Sequence, residues 1–196
     1  YRLYRNPFVL FGVGPIFIFL FHHRLPMGFL RAGLKYWISA MGTNIAVAAL
    51  LIGGIAAVGW LPFLVVYLLI TTLAAIAGVW LFYVQHQFER TVWDRNDTWQ
   101  LHEAALYGSS YYVLPQPLRW LTANIGIHHV HHLNSRVPFY RLQQVLRDHP
   151  PLATISRMTL ADSFKTTKLK LWDPSNRRLV SFKTARALRS ENGAKT

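Results

Sequence analysis

Hydrophobic and polar positions divide this chain into an apolar first half, uncharged through its middle, and a polar, basic second half. From residue 36 to residue 88 there is no Asp, Glu, Lys or Arg. A water-soluble domain seldom runs that far without charge, whereas the core of a bilayer demands it. Residues 43–60 predict one spanning helix, about 27 Å long, and residues 63–83 a second of about 31 Å. The first is rich in Ala and Gly, which permits close helix packing. The uncharged Trp60-Leu61-Pro62 predicts the turn between them, and Trp60, Trp80 and Tyr83 stand where interfacial anchors belong. The fold class this implies is all-α: a multi-pass membrane helical bundle with a two-helix transmembrane hairpin, a short interfacial segment and a cytosolic helical cap.

The flanks are less regular. The apolar residues 8–21 reach only about 21 Å as a helix, short of the roughly 30 Å hydrocarbon core. Gly12, Gly14 and Pro15 interrupt them, so they read as an interfacial or re-entrant piece or as part of a longer span. Residues 1–6 look interfacial, and residues 29–37, with Arg31 and Lys35, read as an amphipathic stretch on the membrane surface. His22 and His23 fit polar headgroup contact. Beyond Glu89 the chain turns soluble in character. Residues 93–97 form a polar loop, 99–106 a helix, 108–112 a hydroxyl-rich turn, and 118–125 a helix running into a cluster of histidines. Residues 169–173 suggest a short strand, and the last ten or so residues suggest disorder. Four segments follow: 1–42 interfacial or partly membrane-embedded, 43–84 the hairpin, 85–150 the cap, and 151–196 a basic tail.

Composition sharpens this picture. At 196 residues with 52% hydrophobic residues, the chain is one domain by length but unusually apolar. Cysteine is absent, which leaves histidine as the main candidate metal ligand. The formal net charge is +13. Residues 1–42 hold five Lys or Arg and no acid, and residues 133–196 hold 13 against four. Nucleic-acid binding and the positive-inside bias of a membrane protein compete to explain this. The apolar middle favours the second, and with it cytoplasmic ends for the hairpin.

The chemistry is concentrated in Ile127-His128-His129-Val130-His131-His132-Leu133. His128, His131 and His132 stand at i, i+3 and i+4 and share one face of a helix, while His129 points about 100° away. Converging neutral imidazoles suit iron, zinc, copper or nickel. His86 sits where the second span meets the cytoplasmic surface, as either a functional group or an interfacial histidine bound to water. Glu103 and His102 lie on a helical stretch, and Glu103 could reach an imidazole, although solvation is the commoner fate of such a residue.

Taken together, the run from Tyr83 to Glu89, the box of the form H-x-x-H-H at His128, His131 and His132, and Leu169-Lys170-Leu171-Trp172-Asp173 resemble the membrane fatty acid desaturases, specifically the bacterial acyl-lipid type. The resemblance covers essentially the whole chain. Members carry three histidine boxes, and nothing here resembles the first two, so the chain looks like a C-terminal portion, truncated at the N-terminus. The resemblance implies that His86, His128, His131 and His132 are metal ligands and assigns no ligand role to His129, His102 or Glu103. It implies two iron ions in the complete enzyme, dioxygen as co-substrate, a cis double bond placed in a fatty acyl lipid, and electrons from an external donor, ferredoxin or cytochrome b5. The implied place is the bacterial inner membrane, among membrane lipid, with the site on the cytoplasmic side and no nucleic acid involved. Four histidines fall short of two iron shells, so this portion alone is expected to be inactive. Two other classes share these features: a di-iron membrane hydroxylase and a non-enzymatic membrane metal-binding protein.

Overall fold

A computed structural model describes residues 2–3, 5–29, 33–94 and 97–193, with residues 29 and 191–193 described by their backbone alone. The chain forms two compact units, Tyr1–Trp80 and Leu81–Thr196.

In the first unit a π-helical turn, Val9–Val13, leads into helix α1, Gly14–Leu20. Pro15 lies in the first turn of α1, where its missing N–H leaves no bond unmade. The long helices are α2, Leu34–Val58, and α3, Trp60–His86, and each is long and apolar enough to cross a membrane. The helix expected from residue 43 thus starts at Leu34, since nothing between Lys35 and Thr43 breaks it. The surface stretch expected at 29–37 is divided accordingly: residues 30–32 lie outside the described residues, and 34–37 form the first turn of α2. The turn also moves. Gly59 alone interrupts the two helices, at φ 89°, a left-handed conformation that suits glycine. Trp60 already opens α3, and Pro62 falls in its first turn, where proline is tolerated. Across the hairpin a Cβ at Gly54 would overlap the Phe63 ring, so close packing depends on glycine there.

The second unit opens with residues 81–86 of α3. It continues through α4, Leu101–Tyr107; β1, Tyr111–Val113; α5, Gln116–Leu121; α6, His128–Leu133; α7, Leu142–Asp148; β2, Arg157–Thr159; α8, Leu160–Thr166; β3, Leu171–Asp173; β4, Arg178–Val180; and α9, Phe182–Gly193. The protein is mostly helical but not wholly so. β1 pairs in parallel with β2, Tyr112 opposite Met158, and β3 pairs antiparallel with β4, Trp172 opposite Leu179. The first pair occupies part of the expected hydroxyl-rich turn. Tyr112 is buried and donates its backbone N–H to Gly126, a demand for pairing that side-chain polarity did not reveal.

The helix expected over 118–125 stops at Leu121. Ala123 and Asn124 take positive φ, 50° and 55°, which closes the helix and turns the chain toward a bridge between Tyr111 and Ile127. The tail also departs from expectation. Ser181 caps α9 by accepting the Thr184 N–H at 3.0 Å, and α9 then runs through good helix formers to Gly193. Residues 194–196 lie outside the described residues. The core nearest the histidines is Ile127, Val130, Leu142 and Leu146, with Tyr111, Val137, Val145 and Leu152 against it.

Candidate metal centre

Two histidines of the site arrive on α6 and one on the last turn of α3. The α3 end is held from several sides. Gln85 is buried, donates to the Ile125 carbonyl at 3.0 Å, and accepts the Ser110 N–H at its own carbonyl at 2.9 Å. The Tyr83 hydroxyl lies 3.3 Å from both the Thr166 and Leu169 carbonyls. These bonds bring His86 against the start of α6, whose Ile127 and Val130 point into the core described above and turn His128 and His132 the other way.

His128 Nε2 lies 3.0 Å from His86 Nε2 and 3.1 Å from His132 Nε2. Among the described residues these three form the one group of at least three potential metal ligands, with ligand atoms all within 4.8 Å of one another. His86 Nδ1 faces the Gly108 carbonyl at 3.2 Å. A carbonyl only accepts, so the proton sits on Nδ1 and Nε2 offers a lone pair. A ring nitrogen holds one lone pair or one N–H in its plane, so His128 Nε2 cannot make a good hydrogen bond to both neighbours at once. A cation among the three nitrogens satisfies all of them. At an imidazole–metal distance of about 2.0–2.1 Å, two ligands stand about 2.9 Å apart at a right angle and about 3.3 Å apart at a tetrahedral angle. The observed 3.0 and 3.1 Å from His128 fall in that interval, and the three ligand atoms, all within 4.8 Å of one another, form a group able to take up a metal ion with a small closing of the His86–His132 separation.

His131 stands beside this group. Its ring centroid is 5.6 Å from that of His128 and 5.9 Å from that of His132. Helix geometry explains the split: His132 and His131 flank His128 by about 40° and 60° on opposite sides, and only the His132 side meets His86. His129 is fully buried on the opposite surface. Its Nε2 donates to the Leu152 carbonyl at 2.9 Å, which ties α6 to the 150–153 turn. His102 and Glu103 are exposed on α4, outside the triad. His22 and His23 belong to the first unit, their rings 6.3 and 5.9 Å from Phe17 and Phe19. The Gly108 and Leu152 carbonyls, which orient His86 and His129, carry no side-chain signature by which a sequence could show them.

Burial, and then the charge of His86, His132, His131 and His129, lowers the His128 pKa to about 3 from its ordinary 6.5. Burial also lowers His132 and His129, the latter opposed by backbone bonds to Leu152 and Ser110. His128 and His132 are therefore neutral at pH 7, as metal ligation requires. For a group whose folded pKa is depressed, the unfolded chain takes up the proton first as pH falls. The metal-free chain in detergent should lose thermal stability from about pH 6.5 downward toward pH 3, and His128→Gln should flatten that loss. A melting temperature constant from pH 7 to pH 4 would contradict it.

An apolar helix long enough to cross a membrane ends in an imidazole that joins two more from an H-x-x-H-H helix, and the three form a candidate metal-binding group. The family model described as fatty acid desaturase matches residues 1–162. A fatty acid desaturase of Bacillus subtilis (strain 168) is 43% identical over 183 residues, covering 93% of this chain and 51% of that protein. The chain belongs to the fatty acid desaturase family, and it spans about half the length of this curated relative.

Proposed function

We propose that this chain is the carboxyl-terminal part of a membrane fatty acid desaturase that places a cis double bond in a fatty acyl chain. The observation that carries the reading is the convergence of the His86, His128 and His132 Nε2 atoms at the end of an apolar helix. An unactivated methylene resists acid–base chemistry, so its oxidation needs a redox metal and dioxygen. Two iron ions, when bound, would supply that chemistry: overall, dioxygen with two external electrons and two protons becomes two waters as two adjacent methylenes lose one hydrogen each.

This chain's residues prepare the site. The Gly108 carbonyl holds the His86 proton on Nδ1 and keeps Nε2 free to ligate. His86, His128 and His132 would hold one ion, and His131, turned to the other side of α6, would serve the second. The low proton affinity of His128 keeps it available without a proton being displaced at neutral pH. Helices α2 and α3 would span the bacterial inner membrane as a multi-pass anchor, and residues 85–150 would form a cytoplasmic cap to which acyl chains rise from the bilayer. Electrons would come from ferredoxin or cytochrome b5.

Four imidazoles do not complete two iron shells. The detergent-purified chain is expected to hold well under two irons per polypeptide and to form no unsaturated product. Two tightly held irons, or product from this chain alone, would overturn that part. Joined to a segment bearing two further histidine boxes, it should yield an acyl chain lighter by two hydrogens. A product heavier by one oxygen would instead assign a hydroxylase.

A further inference from the structure

The second unit carries large apolar side chains that nothing in it covers. On α5, Trp120 is 75% exposed and Leu121 68%, with Leu118 beside them at 39%. In the 139–141 turn, Phe139 is 55% exposed and Tyr140 66%. Asn124 links the two pieces. Its backbone N–H donates to the Arg119 carbonyl at 2.8 Å, and its side-chain amide donates to the Phe139 carbonyl at 3.2 Å. The next residue, Ile125, accepts the Gln85 side chain. Both pieces are therefore tied through Asn124 and Ile125 to Gln85, which follows directly on the apolar run of α3 that ends at Val84.

We infer that α5 and the 139–141 turn form an interfacial membrane contact, with Leu118, Trp120, Leu121, Phe139 and Tyr140 seated among lipid headgroups and upper acyl chains and Arg141 reaching lipid phosphate. Three observations favour a bilayer over a protein partner. The patch mixes Trp and Tyr with aliphatic residues, the composition of the boundary where one end of a ring is dry and the other wet. It is connected by hydrogen bonds to Gln85, in the last turn of an apolar helix long enough to span. The exposed Arg141, which forms no ion pair among the described residues, suits an anionic surface and can extend to it along its own methylenes. An uncovered patch of this kind marks an interaction surface. The contact would set the height of the histidine cluster at the headgroup layer, since Ile125 leads directly into α6.

The inference rests on α3 spanning the membrane. The chain contains no cysteine, so single spin labels can be placed without removing any native thiol. Leu121→Cys and Tyr140→Cys are labelled in the full chain in liposomes of phosphatidylethanolamine and phosphatidylglycerol, with Leu69→Cys in α3 and Ser175→Cys in the β3–β4 turn as references. Collision with oxygen reports lipid, and collision with a water-soluble nickel chelate reports water. The expected result is oxygen access at 121 and 140 approaching that at 69, and nickel access several-fold below that at 175. Nickel access equal to that at 175 would overturn the inference, because the surface would be in water. Shielding from both probes would overturn it too, because protein would cover the patch. If position 69 is itself in water, the spanning reading fails and this one fails with it. Lipid at 69 with water at 121 and 140 removes the surface assignment alone.

Discussion

Replacing His128 with alanine should abolish specific metal binding by this chain. His128 is the middle member of the triad: its Nε2 is the atom within 3.1 Å of both other nitrogens, so its loss leaves two separated imidazoles. Altering a group that merely orients a ligand lowers affinity about 10–100-fold, and removing the central ligand should lower it by at least about 100-fold. Cobalt(II) absorption in detergent, titrated against the unaltered chain, measures the effect. His102→Ala, exposed on α4 away from the triad, should leave the titration unchanged. Unaltered cobalt affinity in His128→Ala would remove the triad as the site.

Gly126→Val should damage the same site without touching a ligand. Gly126 stands two residues before His128, its carbonyl accepts the Tyr112 N–H at 2.7 Å, and a Cβ there would collide with the Tyr112 carbonyl. The neighbouring bridge joins Tyr111 to Ile127. A side chain at 126 must push β1 away from the start of α6, which carries the histidines. Overpacking of this kind destabilises by about 1–3 kcal/mol. A lower melting temperature together with weaker cobalt binding is expected, whereas Gly126→Val with both unchanged would show that the close approach is dispensable.

The sequence displayed the features that repeat along it. The uncharged stretch from 36 to 88 announced α2 and α3, and the i, i+3, i+4 spacing put His128, His131 and His132 on one helical face, of which the fold groups His128 and His132 with His86. What stayed hidden depends on backbone groups and long-range pairing. The parallel β1–β2 pair joins residues 46 apart and leaves only three-residue strands, too short for an alternating pattern to stand out. The boundary at Gly59 was masked by Pro62, a stronger breaker by composition but harmless in a first turn. The stop at Leu121 comes from positive φ at Ala123 and Asn124, and alanine gives no warning of that conformation. The distinction between His131 and His132 came from His86 approaching one side of α6, a fact of tertiary structure that their positions on a helical wheel, about 60° and 40° either side of His128, cannot contain.

The Tyr83 hydroxyl bonds set an order of events during synthesis. Its two acceptors, Thr166 and Leu169, follow it by 83 and 86 residues. At about 5–20 residues per second, translation reaches Leu169 about 4–17 s after Tyr83. Through that interval α3 is already made while the brace that steadies its end does not yet exist. The nascent chain therefore passes through a stage with its apolar hairpin complete and its histidines unassembled. The hairpin is complete before the site can close, and a metal ion acquired before closure would meet only an incomplete set of ligands.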